Sequence, residues 1–366
     1  MSTEPDLDQA FAATYASARD KFREAAATAG LAIEHHVNRE ARGAEGEELS
    51  TDVAIWGDER ANAALLLTSA THGVEGFCGS GCQVALLKDP DMREVVKRSG
   101  VAIILYHALN PYGFSHLSRT DERNVDLNRN FRDFRTPSPA NAAYAEVHGF
   151  IVPTSWPPGP DTESRLGQYV ATRGPRALQQ AVTGGQCEYR DGLFYGGDRP
   201  SFGNDVLRDV LRRHGAQRAR LGWIDFHTGL GPAGHGEKIY SGPNDAAMIA
   251  RARAWYGDDV TSFYDGSSSS AQLTGVTFHA ALDECPNAQY TGIALEYGTL
   301  PLMDTLVALR GDQWLRNHRD APDAVRAAVN RMMREAFYTD TPAWRGMVYG
   351  QARVASLQAL KGLAAP

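Results

Sequence analysis

Four runs of strand length, largely apolar on consecutive residues, constrain this chain more than any other feature: residues 64–68 (Ala-Leu-Leu-Leu-Thr), 101–106, 223–226 and 292–295. They are too short for buried helices. Apolar residues on both sides of a strand mean that both of its faces are covered, as in parallel sheets. Helical spacing fills the intervals. Phe11, Tyr15, Ala18, Phe22 and Ala25 recur at one helix face before Gly30 stops it. A small-residue helix over 79–87 ends at Asp89-Pro90, and further helices are predicted over 205–214, 245–256, 303–317 and 322–337. Two more strand-like runs, 31–37 and 51–56, precede a Gly57-Asp58 turn. Strands alternating with helices predict an α/β fold, a sheet with helices on both faces.

What stands at the ends of these runs is chemical. Residues 64–68 lead to His72 and Glu75, three apart; 223–226 lead directly to His227; 292–295 lead to Glu296. In open α/β sheets, ligands and catalytic groups collect beyond the carboxyl ends of the strands. One His-x-x-Glu is weak by itself, since exposed helices carry it by chance. With a second histidine it supplies two neutral imidazoles and a carboxylate, a set that suits one zinc ion with a position left for water. Run 101–106 leads to a further motif: Asn110-Pro111-Tyr112-Gly113, then Arg119, then Asn124-Val125-Asp126-Leu127-Asn128-Arg129-Asn130.

Composition removes other classes. A net charge of −7 over 366 residues argues against a nucleic-acid partner, which calls for a basic patch. The longest apolar stretches are strand-length, so no membrane span is expected, and residues 1–8 lack the basic-then-apolar order of a secretory signal. Four cysteines in so long a chain read as reduced thiols of a cytoplasmic protein, with Cys78 and Cys82 as buried packing. Between about 135 and 165, Pro137, Pro139, Pro153, Pro157, Pro158 and Pro160 crowd together. That predicts an irregular insertion over about 135–200 in a single domain spanning 1–366.

The order and spelling of these motifs resemble the zinc carboxypeptidase superfamily, over about residues 10–310. The nearest likeness is a bacterial branch related to succinylglutamate desuccinylase and aspartoacylase. Context such as Gly192-Leu193-Phe194-Tyr195-Gly196-Gly197 and Leu295-Glu296-Tyr297-Gly298-Thr299 belongs to that likeness. The resemblance implies a mixed, mostly eight-stranded sheet in one catalytic domain. It implies one Zn2+ held by His72, Glu75 and His227, with Asp126 fixing the tautomer of His72, and Asp225 a weaker candidate for such a role. Glu296 becomes the general base and Arg119 the group that polarises the scissile carbonyl, with nearby Arg123 competing for that part. Asn128 and Arg129 become the clamp for a substrate carboxylate. A zinc-dependent hydrolase cutting an amide beside a free carboxylate follows, its substrate a peptide C-terminus or, alternatively, an N-acyl amino acid. A non-catalytic binding module on the same fold would be expected to lose the base or a ligand, and this chain keeps both.

The chain departs from that pattern in one place. The carboxypeptidases proper have a tyrosine shortly before the catalytic glutamate. Here Tyr264 is far from Glu296 in sequence, Tyr290 is near, and His279 is expected at the surface. Residues 267–270, four serines, read as a rim loop or as an exposed linker. The motifs begin too early to leave room for a propeptide, which fits an intracellular enzyme. Nothing in the sequence speaks to oligomeric state.

Overall fold

The computed structural model describes residues 5–138 and 140–365. The first half of the polar start, and Pro139 of the proline-rich stretch, lie outside the described residues. Seven strands make one mixed sheet: β1 (Ile33–Asn38), β2 (Leu49–Trp56), β3 (Ala63–Thr68), β4 (Ala102–His107), β5 (Arg220–Ala233), β6 (Gly236–Tyr240) and β7 (Gln289–Gly298). Their order is β1-β2-β4-β3-β5-β7-β6. The centre, β4-β3-β5-β7, is parallel. Strand β2 pairs antiparallel with β1 and β4, and β6 antiparallel with β7.

Both faces are covered, which is why the central strands read as unbroken apolar runs. Along β3, Leu65 and Leu67 enter one core with Phe22, Phe77 and Trp344. Ala64 and Leu66 enter the other with Leu207, Trp223 and Phe278. The alternation is the two-residue period of a strand seen from both sides. Helices Tyr15–Thr28, Gly76–Lys88 and Pro342–Ala364 supply the first layer; Phe202–Val210 and Phe278–Glu284 supply the second. Cys78 and Cys82 are buried free thiols in that first layer. No helix among the described residues is long and apolar enough to cross a membrane.

Two expectations are corrected. The sheet has seven strands rather than eight; beside the β6 edge the segment after Tyr256 makes only a single bridge, Thr261 to Ile239. The stretch expected to be irregular is about half helical, through Ala142–Ile151, Pro160–Arg173 and Pro175–Thr183. Pro160 and Pro175 open their helices, where the missing N–H has no partner to lose. These helices bury Tyr144, Val147 and Leu178, with Phe194 of the segment that follows, against Leu306, Leu309 and Phe337 in a separate cluster. That cluster forms one wall of the site.

Candidate active site

The three chemical strand ends meet. Strand pairing sets Thr68 of β3 beside Asp225 of β5, and His227 of β5 beside Glu296 of β7. After β3 the chain turns through Ala70, whose φ of 58° is the left-handed region, and delivers His72 and Glu75 on a short turn of 3-10 helix. That turn is packed hard against the Asn110-Pro111-Tyr112-Gly113 segment. A Cβ on Gly73 would stand 2.0 Å from the carbonyl carbon of Gly113, so only glycine permits the approach.

This approach places Arg119. Asn110 accepts from the Gly113 amide (2.9 Å) and donates through Nδ2 to the Arg119 carbonyl (3.2 Å). The same carbonyl accepts from Gly73 N (3.1 Å), and Ser118 O accepts from Val74 N (3.0 Å). The arginine and the His72–Glu75 turn are thereby tied through the backbone. Arg119 sends Nε to Asp126 Oδ2 (2.8 Å), and its Nη2 lies 2.7 Å from His72 Nε2. Arg123, the competing candidate, instead donates to Pro200 O and is absent from the pocket wall.

Three donor atoms converge. His72 Nδ1 is 2.9 Å from Glu75 Oε1, His227 Nδ1 is 3.1 Å from Glu75 Oε2, and the two Nδ1 atoms are 3.3 Å apart. All three residues are buried. Donors bound tetrahedrally at zinc distances of about 2.0–2.1 Å would be roughly 3.3 Å apart, so these spacings suit one ion. The opposite ring nitrogens meet carboxylates: His227 Nε2 is 2.8 Å from Asp225 Oδ2, and His72 Nε2 is 3.3 Å from Asp126 Oδ1. Thr68 and Thr71 donate to Asp225 at 2.6 and 2.8 Å and hold it in place. Asp225, the lesser candidate in the sequence, thus makes the shorter contact to a histidine of the two aspartates.

Charge tests whether a metal fits. Glu75, Asp126, Asp225 and Glu296 are four buried carboxyl groups around two buried guanidiniums, Arg119 and Arg129. With both imidazoles neutral the deficit is two positive charges, which is what one divalent ion brings. His227 is raised well above the usual imidazole range: burial opposes this, and the charge and hydrogen bond of Asp225, then Glu75, overcome it. Glu296 is pushed up to about 8, first by burial and then by the charge on Glu75. Asp126 is held well below the carboxylate range by Arg119 and His72, against the effect of burial. The donor set therefore suits a dication.

Apart from Asp126, these groups line one pocket of about 130 Å³. Glu296 Oε1 accepts from Leu230 N (3.1 Å), which aims the carboxylate beside the triad. Asn128 and Arg129 line the same pocket, and Asn128 Oδ1 accepts from Thr277 N (3.0 Å). Arg129 donates from Nε (3.0 Å) and Nη2 (2.5 Å) to Thr183 O, and from Nη1 to Asn128 O (2.7 Å). A guanidinium has five N–H donors, so one remains on each terminal nitrogen. Burial lowers Arg129 to about 10, still charged at neutral pH. Ser270 reaches the pocket wall from the serine run, as do Phe263 and Tyr240. Tyr264, Tyr290 and His279 do not line it; Tyr264 Oη instead donates to Gly242 O (3.0 Å).

Phe194 is the residue that sequence reasoning passed over. Its ring lies 4.5 Å from the Arg119 guanidinium and 5.4 Å from that of Arg129, in reach of a cation–π contact with both. It sits in the Gly-Leu-Phe-Tyr-Gly-Gly segment, at a φ of 52°. The glycines around it were the available signal. Asn130 holds this segment by donating to Gly196 O (2.9 Å) and Arg199 O (3.0 Å).

A family model described as "Protein of unknown function (DUF2817)" matches residues 11–351. No curated protein matches the chain. Among solved structures it is similar to carboxypeptidase A from Helicoverpa armigera, at 14% identity and a TM-score of 0.46 over 87% of this chain and 73% of that one. It is also similar to bovine thrombin-activatable fibrinolysis inhibitor in complex with tick carboxypeptidase inhibitor, at 10% identity and 0.49 over 97% and 98%. Murein-tripeptide amidase MpaA from Escherichia coli O157 matches at 16% identity and 0.39 over 77% and 91%.

Proposed function

We propose that this chain, which belongs to the DUF2817 family, is a zinc-dependent hydrolase that cuts an amide bond beside a free carboxylate, as a carboxypeptidase does. One observation carries the reading. Three metal-type donors, a further carboxyl group and two arginines, drawn from segments far apart in the chain, face a single pocket. A merely structural ion pair does not need that company.

His72 Nδ1, Glu75 and His227 Nδ1 would hold the ion. Bound there, zinc polarises a carbonyl and brings the pKa of a water near 7. The remaining chemistry belongs to side chains. Glu296 takes the proton of the attacking water and passes it to the leaving nitrogen. It must be ionised to do so, and neutralising the charge on Glu75 lowers it from about 8 toward that state. Arg119 faces the oxyanion that forms at the carbonyl. Asn128 and the two free N–H groups of Arg129 bind the carboxylate of the amine half as a fork. Asp225 and Asp126 hold the two imidazoles with Nδ1 turned to the centre.

A peptide C-terminus and an N-acyl amino acid both present that arrangement of carboxylate and amide. The test is a panel of both kinds, offered to zinc-loaded protein with and without a chelator. Hydrolysis that stops with the chelator and returns with zinc is the expected result. Chelator-insensitive turnover, or none on any carboxylate-bearing amide, overturns the reading.

A further inference from the structure

Hydrogen bonds hold the guanidiniums of Arg119 and Arg129 at their edges. Arg119 donates from Nε to Asp126, and its Nη1 is 3.4 Å from Glu75 Oε1. Arg129 gives three N–H groups to the backbone carbonyls of Thr183 and Asn128. The N–H groups of a guanidinium lie in its plane, so such bonds leave the plane able to rock about the bonded edge. The Phe194 ring stands against that motion. Both guanidinium carbons lie over it, and among the described residues no other aromatic ring comes within cation–π reach of either arginine.

The ring itself is held firmly. At a φ of 52° Phe194 is a bulky residue in the left-handed region, a conformation that persists only where its surroundings over-determine it. Asn124 Nδ2 donates to Gly192 O (3.0 Å), Leu193 N to Tyr144 Oη (2.7 Å), Gln186 N to Phe194 O (3.2 Å) and Asp126 N to Tyr195 O (2.8 Å). Asp126 is the carboxylate that Arg119 grips, and Arg129 follows it on the next turn of the chain. Ring and arginines therefore share one frame.

We propose that Phe194 is a positioning residue for hydrolysis: its ring sets the aim of the carbonyl-facing arginine and of the carboxylate-binding arginine together. The inference rests on the hydrolase reading above and deepens it. Buried in the wall of the catalytic pocket, the ring presents its electron-rich face to two cations that would otherwise repel one another. An aliphatic side chain of similar size would fill the space and offer no such attraction. In the amide of an amino acid, the scissile carbonyl and the carboxylate are separated by a fixed run of bonds. The two arginines must hold a matching separation, and one ring in contact with both supplies it.

The test compares zinc-loaded wild type with Phe194→Leu and Phe194→Met, which keep an apolar side chain without the ring, and with Phe194→Tyr, which keeps the ring. Each is assayed on the fastest substrate of the panel above and on the carboxamide of that substrate. Without the ring, kcat should fall about threefold to thirtyfold on both compounds, because Arg119 faces the carbonyl in each. KM should rise by a similar factor on the carboxylate alone, because only there does Arg129 have a charge to bind. Phe194→Tyr should recover most of both losses, and zinc content by elemental analysis should stay at the wild-type ratio throughout. An unmoved kcat, an unmoved KM, a KM that rises equally on the carboxamide, lost zinc, or a tyrosine variant no better than leucine would overturn the proposal. If wild type hydrolyses nothing in the panel, the hydrolase reading fails, and calorimetry with N-benzoylglycine decides the rest. Tighter binding by wild type and Phe194→Tyr than by Phe194→Leu would then sustain the positioning role; equal binding, or none, would end it.

Discussion

Removing the cation should be felt by the whole fold, and the size of the effect can be worked out. The triad is buried at the junction of β3, β5 and β7, where unfolding scatters its three donors. Zinc bound there would therefore be linked to folding. At a free zinc concentration a thousandfold above Kd, linkage adds about 4 kcal/mol. A chain of 366 residues has an unfolding entropy of about 0.77 kcal/mol/K, taking roughly 2.1 cal/mol/K per residue. The quotient is an upward shift in Tm of about 5 °C. The assay is differential scanning calorimetry of chelator-treated protein at pH 7.5, with and without added zinc. Glu296→Gln should keep the shift because Glu296 is not a ligand. His227→Gln should lose most of it. Acid should erase it too, because the raised affinity of His227 for protons makes them strong competitors for the same lone pair. An equal shift in wild type and His227→Gln would refute the reasoning, as would no shift in wild type.

Three other outcomes are expected. Glu296→Gln should bind zinc in the same ratio as wild type by elemental analysis yet lose on the order of 10²–10⁴ in turnover, the usual weight of a general base. Arg129→Ala should lower kcat/KM for carboxylate-bearing substrates about a hundredfold while sparing their carboxamides; equal losses on both would count against the clamp. His107 is buried with Nε2 2.8 Å from Ser80 Oγ, and burial depresses its pKa from 6.5 to about 4. Above pH 6.5 it is neutral in both folded and unfolded states and contributes nothing to pH dependence. Between 6.5 and 4 only the unfolded chain takes up the proton, so stability falls with acid by up to about 3 kcal/mol. Urea titrations at pH 7.5 and 5 should show part of this loss in wild type and less of it in His107→Gln.

The centre of the fold was legible because a strand buried on both faces has no polar period to confuse its reading, as residues 64–68 show. The chemistry at the strand ends was legible for a related reason: His227 and Glu296 follow apolar runs directly and stand opposite one another in the register. Asp225 could be placed on the face of His227 by the two-residue period, but the threonines that fix it come from β3 and the turn after it, 154 and 157 positions away. No local pattern carries that. The prolines misled because the same residue that breaks a helix interior also opens a helix, and only packing against Leu306 and Leu309 decides which. Helix Pro342–Ala364 went unread because much of its buried face is alanine, Ala352, Ala355 and Ala359, which carries little apolar signal of its own. Phe194 stood in a recognised motif, but a coil segment has no period to say which of Phe194 and Tyr195 faces the pocket.

The glycine contact at Gly73 has a consequence for how this protein admits a guest. Backbone bonds weld the His72–Glu75 turn to Arg119, so neither can swing aside without dragging the other. The floor of the chamber is one casting. Whatever yielding the entrance needs falls instead to the serine-bearing strap, fastened at one end by Ser269 to Glu237 and across the mouth by Gln179 and Gln180. Those fasteners are mostly side-chain bonds, whereas the floor is held through its backbone.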